Sequence, residues 1–250
     1  IIKLNFLYLF KLLLMENFWN NQITPGYYDQ LIKDGINKNK GIQANWHNIT
    51  FSKVKEYFSG NEFHLDYACG SGTLVGMYVD VNSIGVDISD NQISYAKKKY
   101  PSKTFIELSS FDFDKYENSF DVVSILGLLE FINFSDANEL LKNVYKILKK
   151  DGKLLISTPN FASSVSFISY LNSFFGGMSY SKQHIGKYNK KTLEKLIKNS
   201  DFTIYKIEKI INLGIIFSFL SLAAGKKVND ILSKITKNRL GFLLFAEINK

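Results

Sequence analysis

Two short apolar runs that each close on an acid, with a small-residue turn between them, constrain this chain more than any other feature. The first is FHLDYACGSGTL, Phe63 to Leu74, and the second is SIGVDIS, Ser83 to Ser89. Asp66 ends the first apolar run, Ala68-Cys69-Gly70-Ser71-Gly72 forms the turn, and an amphipathic segment starts at Thr73. Asp87 ends the second run. A strand, a glycine turn, a helix and a strand closing on a carboxylate make up half of a nucleotide-binding α/β sheet. Glycines at 70 and 72 let a ligand reach the backbone, since a Cβ there would block it. Asp87 then stands where a two-oxygen acceptor can hold a ribose diol.

The same residues narrow the nucleoside. A dinucleotide turn rests pyrophosphate on a helix N-terminus and needs a third glycine for helix–strand packing. Val75 occupies that third position, and Gly76 comes one residue late. A carboxylate at Asp66 would repel pyrophosphate but suits an ammonium group. A nucleoside that carries both a ribose and a cationic amino acid is S-adenosylmethionine. An NAD-dependent enzyme of the same general architecture stays as the weaker alternative.

Later segments supply further motifs in order: FIELSSFDFDKYENSFDVVSILGLLEFI (Phe105 to Ile132) and LKKDGKLLISTPN (Leu148 to Asn160). With the glycine turn, they make the chain resemble the class I S-adenosylmethionine-dependent methyltransferases, most nearly the small-molecule branch containing the ubiquinone-biosynthesis O-methyltransferases. The family's first motif reads acid-x-Gly-x-Gly-x-Gly, with Ala68 in place of the first glycine. The resemblance covers Trp46 to Phe202 well. It implies an α/β, Rossmann-like, seven-stranded and mostly parallel sheet with helices on both faces and the last strand antiparallel.

The resemblance also implies site residues. Asp66 faces the methionyl ammonium, with the Ala68 carbonyl and the turn at Gly70 and Gly72 lining that end. Asp87 takes the ribose hydroxyls beside Ile88. Ser109, Ser110 and Phe111 form the adenine loop, with Phe111 against the base and Asp112 as the nearest acid, and Leu126 ends the fourth strand. Where the family often reads Leu-Glu-His, this chain has Leu129-Glu130-Phe131, so no histidine carries over from that motif. The candidate catalytic bases are His184 first, then Glu130 and His47. Asp121 is expected to be structural, and His64 to be a packing or edge residue of the first strand. A fold that binds the cofactor but has lost catalysis is the non-enzymatic alternative.

Composition bounds the partners. The 250 residues, 46% of them hydrophobic, suit one α/β domain. The +8 net charge is carried almost wholly by lysine, with Arg239 the only arginine. Phosphate recognition favours the planar arginine fork, so no nucleic-acid partner is expected. Ser124-Ile125-Leu126-Gly127 also stands where relatives acting on nucleobase amines carry Asn/Asp-Pro-Pro-Tyr/Phe. A small-molecule acceptor is expected, with a hydroxyl (phenol, quinone precursor or sugar) leading. Cys69 is the only cysteine, which excludes an intrachain disulfide and a multi-cysteine metal site. No metal is expected.

Residues 1–14 are read as an upstream extension of the reading frame, with a membrane anchor as the alternative, and 15–250 as one domain. Within it, 15–60 supplies N-terminal lid helices, and 161–186 and 213–235 are substrate-side insertions. Ser89 and Gln92 suggest a capping box, and Asp151-Gly152 the end of a helix that starts at Asp136. The protein is expected in the cytoplasm, with a possible peripheral membrane or lipid contact. The apolar stretch INLGIIFSFLSLAAGKK, followed by two lysines, fits an interfacial helix, and Tyr170 to Met178 would add a second apolar edge. Packing as a lid over an apolar acceptor is the competing reading.

Overall fold

The computed structural model describes residues 19–162, 183–202 and 204–250. The expectations for residues 1–14, for Tyr170 to Met178 and for most of the 161–186 insertion fall outside the described residues. The seven strands are β1 (Phe63–Tyr67), β2 (Asn82–Asp87), β3 (Thr104–Glu107), β4 (Phe120–Leu126), β5 (Leu148–Pro159), β6 (Ile204–Ile210) and β7 (Leu243–Asn249). They form one sheet in the order β3-β2-β1-β4-β5-β7-β6. β7 runs antiparallel to both β5 and β6, and the pairs from β3 through to β5 are parallel. Chain order reverses between β1 and β4, and ligands of open α/β sheets bind at such a switch, beyond the carboxyl ends of the strands.

The central strands are apolar on both faces because both faces are covered. On one side, α4 (Phe134–Ile147) and α5 (Lys190–Lys198) bury Leu140, Leu141, Val144, Leu193 and Leu196 against the sheet. Asn133 caps α4 by accepting from the Asp136 amide, and Asn189 with Thr192 closes a reciprocal capping box on α5. The helix expected from Asp136 therefore starts two residues earlier, and it ends at Ile147. Asp151-Gly152 does not close it. Asp151 has φ 65°, and the β4–β5 register jumps from Phe120↔Leu148 to Val122↔Lys153, so these residues bulge within β5. Asp121 accepts from the Phe63 amide at 2.8 Å and pairs with Lys149, the structural role expected of it.

The opposite face departs from the sequence reading. The segment after the glycine turn makes only a single wide helical turn, Leu74–Tyr78, because β2 already begins at Asn82. Its place on the sheet is shared by α2 (Ile42–Lys55), whose Val54 packs with Leu74, Val79, Val122, Leu155 and Phe245. Helix α1 (Tyr27–Asn37) packs on α2, and its fully buried Asp29 ties it to the sheet. Asp29 accepts from Thr73 Oγ1, Tyr95 Oη, Tyr100 Oη and Lys33 Nζ. Tyr95 lies on α3 (Asp90–Lys99) and Tyr100 caps its end. Burial alone would raise the carboxyl's pKa, but the donors around it outweigh that and hold it below its usual range.

Removing that carboxylate strands several buried donors at once. Asp29→Ala is expected to lower stability by about 3 kcal/mol, in the range for breaking a buried charge pair. Urea unfolding measures it, and a change under about 0.5 kcal/mol, typical of a surface site, would mean that the knot does not hold α1 in place.

Candidate functional site

Asp66 and Asp87 come together where the sequence placed them, at the carboxyl ends of β1 and β2. Asp87 is half-buried, and its two oxygens bridge two turns. Oδ2 accepts from the Gly70 amide at 2.8 Å and Oδ1 from the Ser89 amide at 2.9 Å. Each carboxylate oxygen has a second lone pair, so the bridge leaves acceptor capacity facing outward. Asp66 is buried and accepts from Ser124 Oγ at 2.6 Å. Burial, reinforced by the charge of Asp87, pushes its carboxyl up to about 7. Burial also raises Asp87, against the backbone donations that favour its charged form. Among the described residues no lysine or arginine pairs with either acid. Two neighbouring carboxylates without a cation suit a cationic ligand.

The turn between them has two unlike glycines. A Cβ on Gly70 would meet nothing within 4 Å, so this residue presents open backbone. A Cβ on Gly72 would lie 2.5 Å from the Phe105 ring and 2.9 Å from Ala96, so this glycine serves internal packing and not ligand approach. Ala68 adopts φ 66°, the left-handed conformation that a glycine would take without strain.

Gln92 is only half of the expected capping box. Its amide donates to Ser89 Oγ, but its side-chain oxygen accepts from Ser71 Oγ and the Gly26 amide. The segment before α1 is thereby fixed against the glycine turn. The same segment reaches further across the strand ends. Ser89 Oγ donates to Asn20 Oδ1, and the Trp19 ring meets Phe131 edge-on at 5.2 Å. β1 lies between the strands that carry these contacts, so residues 19–26 cross its carboxyl end.

The adenine-loop residues are placed differently from one another. Ser109 and Ser110 lie exposed in a tight turn, Leu108–Ser110. Phe111 is buried and stacks on Tyr116 at 5.1 Å with Phe113 edge-on, so its faces are taken by protein rings rather than left for a base. Asp112 accepts from the Asp114 amide within its own turn. Ile88 and Leu126 are half-buried, and the amide after Leu126 donates to Ser157.

Of the three candidate bases, Glu130 has the strongest geometry. It is buried at the carboxyl end of β4, accepts from Thr158 Oγ1 at 3.1 Å, and burial pushes its carboxyl up to about 7. Burial, with the charge of Glu130, pushes the nearby Tyr188 hydroxyl up to about 12, and that hydroxyl has no hydrogen-bond partner among the described residues. His184 lies close by, since the Ile185 and Gly186 amides both donate to the Glu130 carbonyl, but its ring sits edge-on between Phe131 and Phe161. Burial and Lys187 lower its pKa. His47 sits among Tyr28 and Phe51 on α2 and is pushed down to about 4 by burial. His64 is no edge residue. It is fully buried in a central strand, between Ser83 and Ser124. Ser124, Gln92 and Thr158 were not expected at the site; a serine inside the apolar run VVSIL was the one available signal for Ser124.

A cavity of 790 Å³ lies between α1, α2 and the 213–219 stretch, lined by residues such as Leu31, Ile42, Ile215 and Phe219. Its lining includes none of Asp66, Asp87 and Glu130.

The raised acids have a consequence for stability. A carboxyl raised in the folded state stabilises it fully below the unfolded pKa near 4, and that contribution is lost as pH rises through the folded value near 7. The ligand-free protein is therefore expected to melt higher at about pH 5 than at about pH 8. The pair Asp66→Asn with Glu130→Gln should flatten that slope, and an equally steep slope in the double variant would overturn the assignment.

The comparisons with known proteins agree with this geometry. Residues 49–207 match the family model described as a methyltransferase domain. A demethylmenaquinone methyltransferase of Lactobacillus johnsonii is 33% identical over 126 residues, covering 46% of this chain and 50% of that protein. The chain thus spans half the length of that relative. A ubiquinone/menaquinone biosynthesis C-methyltransferase of Campylobacter jejuni is 22% identical over 204 residues, covering 74% of this chain and 83% of its own. Among solved structures, magnesium protoporphyrin IX methyltransferase from Synechocystis, with bound SAH, aligns at TM-score 0.60 and 14% identity over 96% of this chain and 99% of its own. A SAM-dependent methyltransferase from Archaeoglobus fulgidus aligns at TM-score 0.57 and 21% identity, over 81% and 93%. Sheet order, glycine turn, paired acids and matched domain lead to one assignment: the chain belongs to the class I S-adenosylmethionine-dependent methyltransferases.

Proposed function

We propose that the acceptor is a small hydroxylated molecule, a phenol or quinone precursor, and that Glu130 takes its proton. The observation that carries this reading is a buried carboxyl held near neutral at the carboxyl end of β4, where a general base at neutral pH needs its pKa. In this reading Asp66 faces the ammonium of S-adenosylmethionine and Asp87 the ribose hydroxyls, with Gly70 giving backbone access. The cofactor supplies a methyl already bonded to a cationic sulfur, so the leaving group needs no activation. The chain's own task is to hold the acceptor in line and keep water away. Residues 19–26 and the N-terminal helices serve as the lid. Glu130 would take the acceptor's hydroxyl proton, while the bound cofactor would supply the methyl, its sulfur keeping the electron pair of the broken S–C bond.

Transfer to the acceptor oxygen is our first reading. Transfer to an adjacent ring carbon is the second, favoured by the named chemistry of the Campylobacter jejuni relative. Removing the hydroxyl proton serves both, because a phenolate can attack through oxygen or carbon. With a panel of catechols and hydroxyquinones, NMR of the product separates an O-methyl from a C-methyl group. Glu130→Gln is expected to lower kcat about 100-fold or more, within the usual span of general-base effects, while binding of S-adenosylhomocysteine stays within about twofold. Loss of binding with unchanged kcat would place Glu130 outside proton transfer. Asp87→Ala is expected to weaken that binding at least about 10-fold, the loss of a hydrogen bond to a charged group, by calorimetric titration.

We also propose that a cytoplasmic form of the protein touches an anionic lipid surface through residues 213–236. No helix among the described residues is long and apolar enough to cross a membrane. The hairpin made by the stretch Leu213–Phe219 and α6 (Leu222–Thr236) is apolar on its outside. Phe217, Phe219, Leu220, Ile231 and Ile235 are exposed, Ile235 at 72%, while Gly214, Ile215, Ser218, Gly225 and Asn229 face inward. Lys226, Lys227 and Lys234 are exposed on the same helix, the arrangement that suits an anionic interface. Vesicles with about 30% anionic lipid at about 0.5 M salt, where long-range attraction is screened, should retain the wild type and release Phe217→Ser with Phe219→Ser. Equal release of both would leave the segment as a lid.

A further inference from the structure

We infer that His64 and Ser124 form a reversible proton relay whose direction reports the charge state of Asp66, making His64 a positioning residue for the cofactor's ammonium. The inference rests on the assignment of Asp66 to that ammonium, and it follows from counting protons along one row of buried atoms.

His64 and Asp66 are two residues apart on β1, so their side chains project to the same face. Register brings His64 beside Ser83 of β2, and Asp66 beside Ser124 of β4. His64 Nδ1 lies 3.2 Å from Ser83 Oγ, and Nε2 lies 2.9 Å from Ser124 Oγ. Ser124 Oγ lies 2.6 Å from Asp66 Oδ1, and Ser83 Oγ lies 3.2 Å from the Val81 carbonyl. All four side chains are buried. Burial pushes the imidazole down to about 3, so the ring is neutral and has one N–H and one lone pair.

Each hydroxyl in the row has one proton, which leaves two arrangements with every donor matched. With Asp66 ionised, Ser83 donates to Nδ1, Nε2–H donates to Ser124, and Ser124 donates to Asp66. With Asp66 protonated, the row reverses. The carboxyl donates to Ser124, Ser124 donates to Nε2, Nδ1–H donates to Ser83, and Ser83 donates to the Val81 carbonyl. With the acid proton on Oδ1, the oxygen that faces Ser124, a mixture either sets two lone pairs against each other or leaves the Ser124 proton without an acceptor in the row, both costly in a buried site. The tautomer of His64 is thereby locked to the charge of Asp66. The protonated row holds four of these protons and the ionised row three, so passing from one to the other sends one proton to solvent.

The surroundings poise the row between its two states. Asp66 faces Ser124 from β4, Asp87 from the end of β2, and the Cys69 thiol from the turn, a group that burial keeps neutral. No cation among these neighbours fixes Asp66 in the charged form, and its carboxyl sits near neutral. The Phe58 ring also meets His64, edge-on at 4.9 Å, and neither gives nor takes a proton in the row. An arriving ammonium favours ionised Asp66, so its binding near neutral pH selects the Nε2–H row and expels the proton. A histidine that merely filled space would keep one tautomer throughout.

The test uses the full chain with ¹⁵N-labelled histidine. In the ligand-free protein, the His64 ring should be mainly Nδ1–H at about pH 5.5 and mainly Nε2–H at about pH 9. Adding S-adenosylhomocysteine at about pH 6 should convert it to Nε2–H. Calorimetry at about pH 7 in two buffers of different ionisation enthalpy should show about half a proton released per ligand bound, and none in Asp66→Asn. In Ser124→Ala the tautomer should no longer follow pH. One unchanging tautomer in the ligand-free pH series would overturn the relay. A relay that switches with pH but ignores bound S-adenosylhomocysteine would instead overturn the assignment of Asp66 to the ammonium.

Discussion

The carboxylate of Asp87 holds the cleft in shape. Its two oxygens take the Gly70 amide from the turn after β1 and the Ser89 amide from the turn after β2. Two backbone turns that must each leave donors free are joined by one side chain, and the gap between them takes a fixed width. Hydrogen bonds to an ionised acceptor are the stronger kind, which offsets part of the cost of burying the charge. Each oxygen keeps a second lone pair beyond these bonds.

The described residues N-terminal to β1 are organised around the short connection between β1 and β2. A single helical turn covers too little of the sheet, so α2 supplies apolar cover and α1 is anchored by a buried acid rather than by an apolar stripe. Asp29 and Asp66 show how surroundings decide the state of like groups. Both are buried aspartates. Asp29 is ringed by a lysine ammonium and three hydroxyls and stays charged, whereas Asp66 has one serine donor and a neighbouring carboxylate and sits near neutral. The first is a structural tie. The second remains in demand of a cation.

Just past the end of β4, Glu130 repeats the theme. Its single side-chain donor, Thr158, comes from the neighbouring strand β5, while its backbone carbonyl anchors the chain at Ile185 and Gly186. His184, preferred on the sequence, is turned between two phenylalanine rings, and its lowered pKa leaves it a weaker base than Glu130 near neutral pH. Burial thus gives the glutamate beside the absent Leu-Glu-His histidine a carboxyl near neutral.

The sequence determined the sheet, the glycine turn and the paired acids, because each follows from spacing along the chain: alternating or continuous apolar runs, and glycines and acids at fixed offsets. Asp121 was legible as structural through the family resemblance of its segment. Tertiary structure alone decided the rest. Nothing local shows that Gln92 reaches the glycine turn instead of its own helix start, that Phe111 spends its faces on Tyr116, or that Asp151-Gly152 bulges a strand rather than ending a helix. His64 looked like filler because its meaning lies in Ser83 and Ser124, which come from two other strands. Proton affinities belong to this second class. Burial and neighbouring charge set them, and both are properties of the assembled chain.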